Sequence, residues 1–94
     1  MITCCMFGKY TTEALTRISA DRTQQAVIHI EELGGKIRSM YALLGERDLL
    51  FIVDLPDINQ AIKASVSLSN LLGIPFTTSP AVAVEEFDAM MAEM

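Results

Sequence analysis

From Ile2 to Phe7 the chain is apolar or β-branched at nearly every position, which in so short a run predicts a strand. Gly8-Lys9-Tyr10-Thr11-Thr12 interrupts it, and Glu13 to Ile18 predicts a first short helical stretch. Ser19 then stands as an N-cap, with Asp21 in the first turn. A hydroxyl there accepts a free amide, and an acid complements the positive helix end. Beyond it Ala26, Val27, Ile30 and Leu33 recur along one side of a helix, and Gly34-Gly35 ends it. Lys36 to Leu44 predicts a second strand, Gly45-Glu46-Arg47 a tight connection and Asp48 to Leu55 a third strand. Leu49-Leu50-Phe51-Ile52-Val53 makes that third strand apolar on both faces. Pro56-Asp57 opens a second long helix, with Gln60 placed for a capping box. Its expected buried stripe is Ile58, Ala61, Ile62, Leu68 and Leu72, with Ser65 and Ser69 small enough for close packing against a sheet. Gly73 ends it, and Ile74 to about Val82 predicts a fourth strand, marked as an edge by Pro75 and Pro80. Val84 to Met94 predicts a terminal helix. Its apolar seam of Val84, Phe87, Met91 and Met94 is expected to dock on a neighbouring subunit.

Strand, helix, strand, strand, helix, strand is the split βαβ order of ferredoxin-like folds. The expected class is therefore α+β: a βαββαβ sandwich with a four-stranded antiparallel sheet in the order 4-1-3-2. Right-handed crossovers put both long helices on one face. The other face meets water in a monomer, yet the third strand offers it no polar side chain between Leu49 and Val53. An apolar open face marks an interface or a ligand chamber, so a second copy is expected to pack there, sheet to sheet.

Ninety-four residues allow one domain, taken as 1–94 with 84–94 as a helical tail. Apolar residues make up 51% and charged residues 20%, a globular rather than a disordered composition. The net charge of −5 argues against nucleic acid, whose phosphates need a basic stripe. No apolar run reaches the length of a membrane span, and Met1-Ile2-Thr3-Cys4-Cys5 lacks the basic start of a signal peptide. Cys4 and Cys5 are adjacent and point to opposite faces of a strand, so a bridge between them would be strained. A chain with no other cysteine is expected in a reducing cytoplasm. One histidine, His29, and one cysteine pair give no metal-ligand spacing, so neither a metal nor a cofactor is expected.

The stretch Gly45-Glu46-Arg47-Asp48-Leu49-Leu50-Phe51-Ile52-Val53-Asp54-Leu55-Pro56-Asp57 resembles the signature of the GYD-domain family, and Gly34-Gly35-Lys36-Ile37 fits it too. That signature is a glycine, an acid, a tyrosine and an aspartate, then an apolar strand, then Pro-Asp opening a helix. Arg47 stands where the tyrosine is expected. The resemblance runs from about Ile2 to Ala83 and implies a ferredoxin-like domain of the kind that forms dimeric α/β barrels. It carries no agreed activity. Related barrels include cofactor-free monooxygenases, stress-responsive proteins and small-ligand binders.

Candidate chemistry gathers at one sheet end. Antiparallel pairing of the first and third strands brings Arg47 and Asp48 beside Lys9, Tyr10 and the helix opening at Thr11. Asp48 is either a base or ligand anchor, or a carboxylate that accepts amides of that helix start or pairs with Lys9, and the second reading is preferred. Tyr10 and Tyr41 either contact a ligand or pack. Met6, Met40 and Phe51 are expected to line the open face above this end, and Arg47 there favours an anionic ligand. His29, beside the helix stripe, is either a catalytic base or a half-exposed helix residue, and the second reading is preferred. Two classes remain: a homo-oligomeric module that binds a small organic ligand or a protein, which is preferred, and a cofactor-independent, monooxygenase-like enzyme.

Overall fold

Hydrogen bonds at helix ends segment the chain in the computed structural model, which describes Met1–Met94. The elements are β1 (Ile2–Gly8), α1 (Thr12–Leu15), α2 (Ala20–Glu32), β2 (Lys36–Ala42), β3 (Leu49–Leu55), α3 (Ile58–Leu72), β4 (Phe76–Ala81) and α4 (Val84–Ala92). Thr11, Ser19 and Asp57 each accept the amide three residues on, at 3.0, 3.2 and 2.9 Å, and so start α1, α2 and α3. Gly73 closes α3 in the left-handed region at φ 70°, which a Cβ disfavours.

The four strands form one antiparallel sheet in the order β2-β3-β1-β4, the arrangement the sequence predicts. The helices α2 and α3 pack on one of its faces and against each other. The core between the two layers is built from Cys4 and Met6 of β1, Phe51, Val53 and Leu55 of β3, and small or branched residues of the helices. Ala26 and Ile30 face it from α2, and Ala61, Ala64, Leu68 and Leu72 from α3.

That α3 stripe differs from the expected one. Ile58 and Ile62 are more than half exposed, while Ala64 is fully buried. The helix turns its alanines to the sheet, where short side chains permit close approach. Ile58, Ile62 and Val66 form a second, outer stripe. Ser69 supports the tight approach: its hydroxyl donates to the Ser65 carbonyl at 2.7 Å and accepts the Phe76 amide at 3.1 Å, tying α3 to β4.

The facing of the strands also requires a correction. Met6, Met40 and Phe51, expected on the open face, point under the helices, and Met6 and Phe51 belong to the core. Both alternating sets of β1 and β3 are apolar, so hydrophobicity alone does not choose between them. Polarity at the strand ends does. Thr3 pairs with Asp54 and donates its hydroxyl to it at 2.7 Å. Alternation from that pair puts Cys5, Phe7, Leu50 and Ile52 on the open face. In β2 a bulge at Arg38, between Ile37 and Ser39, resets the alternation. Ile37 and Met40 therefore share the helix side, and Tyr41 joins Leu50 on the open side.

The terminal helix α4 buries none of its residues on its own chain. Its seam residues Val84, Phe87 and Met91 remain about half exposed or more. No helix is long and apolar enough to cross a membrane.

Candidate functional site

Two features stand out on the surface: a cleft on the helix side of the sheet and the uncovered face on the other side. The cleft has a volume of about 300 Å³, at the lower end for small-molecule pockets. Its inner wall is apolar: Met40 from β2, Leu49 and Phe51 from β3, Leu72 from α3 and Ile74 after it. Phe51 is held by Phe76, ring centroids 5.5 Å apart and tilted. The opposite wall and rim come from the segment between β1 and the first turn of α2: Tyr10, Ala14, Arg17, Ile18, Ser19, Arg22 and Thr23. Thr11 and Ser19, as successive N-caps, fold this segment into two helical pieces and turn Arg17 and Arg22 towards one opening.

Among the sequence-predicted residues, Tyr10, Met40 and Phe51 line this cleft; Tyr41 borders it from the edge strand β2, but its side chain lies with Leu50 on the open face. Met6 lies deeper, fully enclosed in the core. Arg47 is elsewhere: its guanidinium stacks over the Phe7 ring, 4.6 Å from the centroid, on the open face. Asp48 accepts the Tyr10 amide at 2.7 Å, while its own amide donates to the Gly8 carbonyl at 3.0 Å. Lys9 donates to the Glu46 carbonyl at 2.7 Å instead of pairing with Asp48. Asp48 therefore positions the backbone that carries Tyr10 into the cleft. Burial, and secondarily the Asp48 carboxylate, push the Tyr10 phenol above its ordinary range, so it stays protonated and able to donate. Asp48→Ala strips a part-buried amide of its charged acceptor. The expected loss is about 1–2 kcal/mol, read as a lower melting temperature, with Asp48→Asn restoring most of it.

Arg17 and Arg22 line the cleft and are not among the residues that sequence reasoning singled out for it. They sit at polar positions of helical segments, with nothing local to set them apart from solvated charges. Only the fold brings them to the same opening as Met40, Phe51 and Ile74. His29 lies outside the cleft, between α2 and α3, with Nε2 2.6 Å from the Ser67 hydroxyl. No three His, Cys, Asp or Glu side chains come together as a metal-binding group.

On the uncovered face Phe7, Leu50, Ile52, Cys5 and Tyr41 form a patch that is apolar at its centre. Asp54 sits at one end, held by Thr3 and, at 3.4 Å, by Arg38. Arg47 covers the other end. The Cys4 thiol on the helix side is pushed above its ordinary range by burial first, then by Cys5 and Asp54, which disfavours the nucleophilic thiolate.

The model of the GYD domain matches residues 4–91, which takes in β1 from Cys4 onward, the other three strands, both long helices and nearly all of α4. The chain belongs to the GYD-domain family. Its Gly45-Glu46-Arg47-Asp48 stretch lies in the β2–β3 connection, so in this GYD domain the motif's aspartate fixes the start of the first helical segment. Among solved structures, the domain is similar to the leucine response regulatory protein LrpA of Mycobacterium tuberculosis, at 12% identity and a TM-score of 0.63. It is also similar to an AsnC family transcriptional regulator from Agrobacterium tumefaciens, at 16% identity and a TM-score of 0.59. These matches cover 87% of this chain but only 51% and 50% of the two regulators, so the GYD domain spans about half their length. TTHA0845 from Thermus thermophilus matches over 88% of this chain and 95% of its own, at 22% identity and a TM-score of 0.57. At such identities the likeness is one of fold. No curated protein matches the sequence.

Proposed function

We propose that this GYD domain is a homodimeric α/β module that associates through its uncovered sheet face and holds a small organic ligand in the cleft between sheet and helices. The cleft carries the reading: an apolar inner wall with a few polar groups at the rim is the common build of a small-molecule site. Its titratable side chains are Tyr10 and two arginines. Those groups suit the holding of an anion or an aromatic ring better than the taking of a proton at neutral pH, which favours binding over the enzymatic alternative.

A second copy is the occupant that fits the open face. The patch is apolar at its centre and charged only at its ends, by Asp54 and Arg38 at one and Arg47 at the other. A two-fold axis through its middle brings each patch onto its own image. The exposed Phe87 and Met91 of α4 find no cover on their own chain, which leaves that seam for a partner copy. Native mass spectrometry of protein purified from its own host tests both parts together. The expected spectrum shows a dimer with a retained small molecule on some copies. A monomer free of any adduct at micromolar concentration removes the proposal.

A further inference from the structure

Arg22 occupies an unusual position. It lies in the first turn of α2, is only part-exposed, and lines the cleft. Its guanidinium donates to the Leu71 carbonyl at 3.1 Å, in the last turn of α3. No carboxylate lies within ion-pair distance; the only two ion pairs in the chain are Arg17 with Glu13 and Arg38 with Asp54. A guanidinium has five N–H donors in a planar fork. One bond to a carbonyl leaves most of that fork free.

The surroundings reinforce this. The chain carries a net charge of −5 and 7 basic residues. Two of those basic residues line this one cleft, and no aspartate or glutamate does. Arg17 is held by Glu13 at 2.6 Å, but both side chains are exposed, 51% and 79%, so the pair is screened and exchangeable. Tyr10 supplies a protonated hydroxyl on the same wall. Behind these polar groups lie Met40, Phe51 and Ile74, with Phe51 and Ile74 each 3% exposed. An acidic protein has thus placed an unpaired cation at the opening of an apolar chamber.

We infer that the ligand of the cleft is a small organic anion: a compact apolar or aromatic body on Met40, Phe51 and Ile74, carrying one carboxylate on the Arg22 guanidinium. This rests on the reading of the cleft as a ligand site and adds the chemical class. An arginine fork matches a carboxylate in a bidentate geometry and holds it through charge-assisted hydrogen bonds. The low-dielectric wall behind it strengthens that attraction relative to water. Arg17 contributes charge at longer range, so its removal has a smaller effect.

The test uses the full chain, labelled for methyl and amide NMR, titrated with 3-phenylpropanoate and hexanoate and with the corresponding neutral amides. The expected result is saturable shifts at Met40, Leu72 and Ile74, with each acid binding about tenfold more tightly than its amide, and the gap closing as salt rises. Arg22→Gln is expected to remove the preference for each acid over its amide, weakening the acids far more than the amides. Arg22→Lys restores part of the preference, because charge returns without the fork. Acids and amides binding the wild-type cleft equally, or an acid preference untouched by Arg22→Gln, overturns the anion assignment while the cleft stands as a ligand site. Absence of shifts at the cleft with all four compounds overturns both. The comparison of acid with amide in the wild type decides the matter even where a variant folds poorly.

Discussion

Placing an aspartate at two adjacent positions of β3 is expected to give opposite outcomes. Phe51→Asp should abolish folding, whereas Ile52→Asp should give a folded domain in which the proposed dimer is lost. Phe51 is 3% exposed and sits among Met6, Met40 and Phe76 beneath the helices. A carboxylate there loses the aromatic contact and is buried without a partner. An uncompensated charge in a core costs several kcal/mol, about as much as the whole stability of a small domain. Ile52 is one residue along and points the other way, opposite Cys5 and Ser39 on the uncovered face. In the monomer an aspartate at that position remains solvated. In a dimer related by a two-fold axis it puts two like charges into an apolar contact and removes two isoleucines, each contributing roughly 1.5–3 kcal/mol when buried.

Sedimentation velocity reads the association, and an increase in the dissociation constant of roughly a hundredfold or more is expected. Cys5 supplies an independent reporter, because it lies beside Ile52 in the register. Its reaction with a thiol reagent should be slow in the proposed wild-type dimer and fast in Ile52→Asp. Cys4 on the opposite face should stay protected in both. A folded, dimeric Ile52→Asp protein with an unreactive Cys5 would place the interface elsewhere.

Gly35→Ala is expected to be the most destabilising single-methyl change in the chain. A Cβ at that position meets the Asp54 carbonyl and the Leu55 Cδ2 at 2.7 Å each, with Ile30 Cγ2 at 3.1 Å. The leucine methyl can move, but the carbonyl belongs to the β2–β3 ladder beside Lys36 and is fixed by it. Relief requires the start of β2 to lift from β3 or α2 to shift away from Leu55. Overpacking of this kind costs about 1–3 kcal/mol, and the backbone contact places it at the upper end. For a domain of this size the melting temperature should fall by on the order of 10 °C. Gly73→Ala is a useful comparison, since no neighbour lies within 4 Å of its Cβ and only the left-handed backbone at φ 70° opposes the change. That conformational cost is about 1 kcal/mol, so a smaller drop is expected. Equal melting temperatures for the two variants would mean that the close approach at Gly35 is readily relieved.

How much of this was readable in the chain depends on whether the signal is local. Element order, and from it the fold class, follows from segments that each carry their own cause. Ser19 and Asp57 bond to amides three residues away, and Gly73 takes a conformation other residues avoid. Pro80 cannot serve a central strand and lies in β4, at the sheet edge. The meeting of Asp48 with Tyr10 was also legible, since antiparallel pairing of β1 with β3 returns the chain to the same sheet end.

The facing of the sheet was not legible from hydrophobicity, because Cys4, Met6 and Cys5, Phe7 are both apolar alternating sets. Only the pairing of Thr3 with Asp54, and the burial of Phe51 under α2 and α3, chooses between them. The bulge at Arg38 sets the facing of Tyr41 against Met40 and exists only when β2 pairs with β3. The α3 stripe was misread because hydrophobicity favours Ile58 and Ile62, whereas contact with a sheet favours the smaller Ala61 and Ala64. The cleft belongs entirely to the tertiary structure. Arg22 and Phe51 come from elements far apart in the chain, and an unpaired cation at an apolar opening is a relation between them that neither segment carries alone.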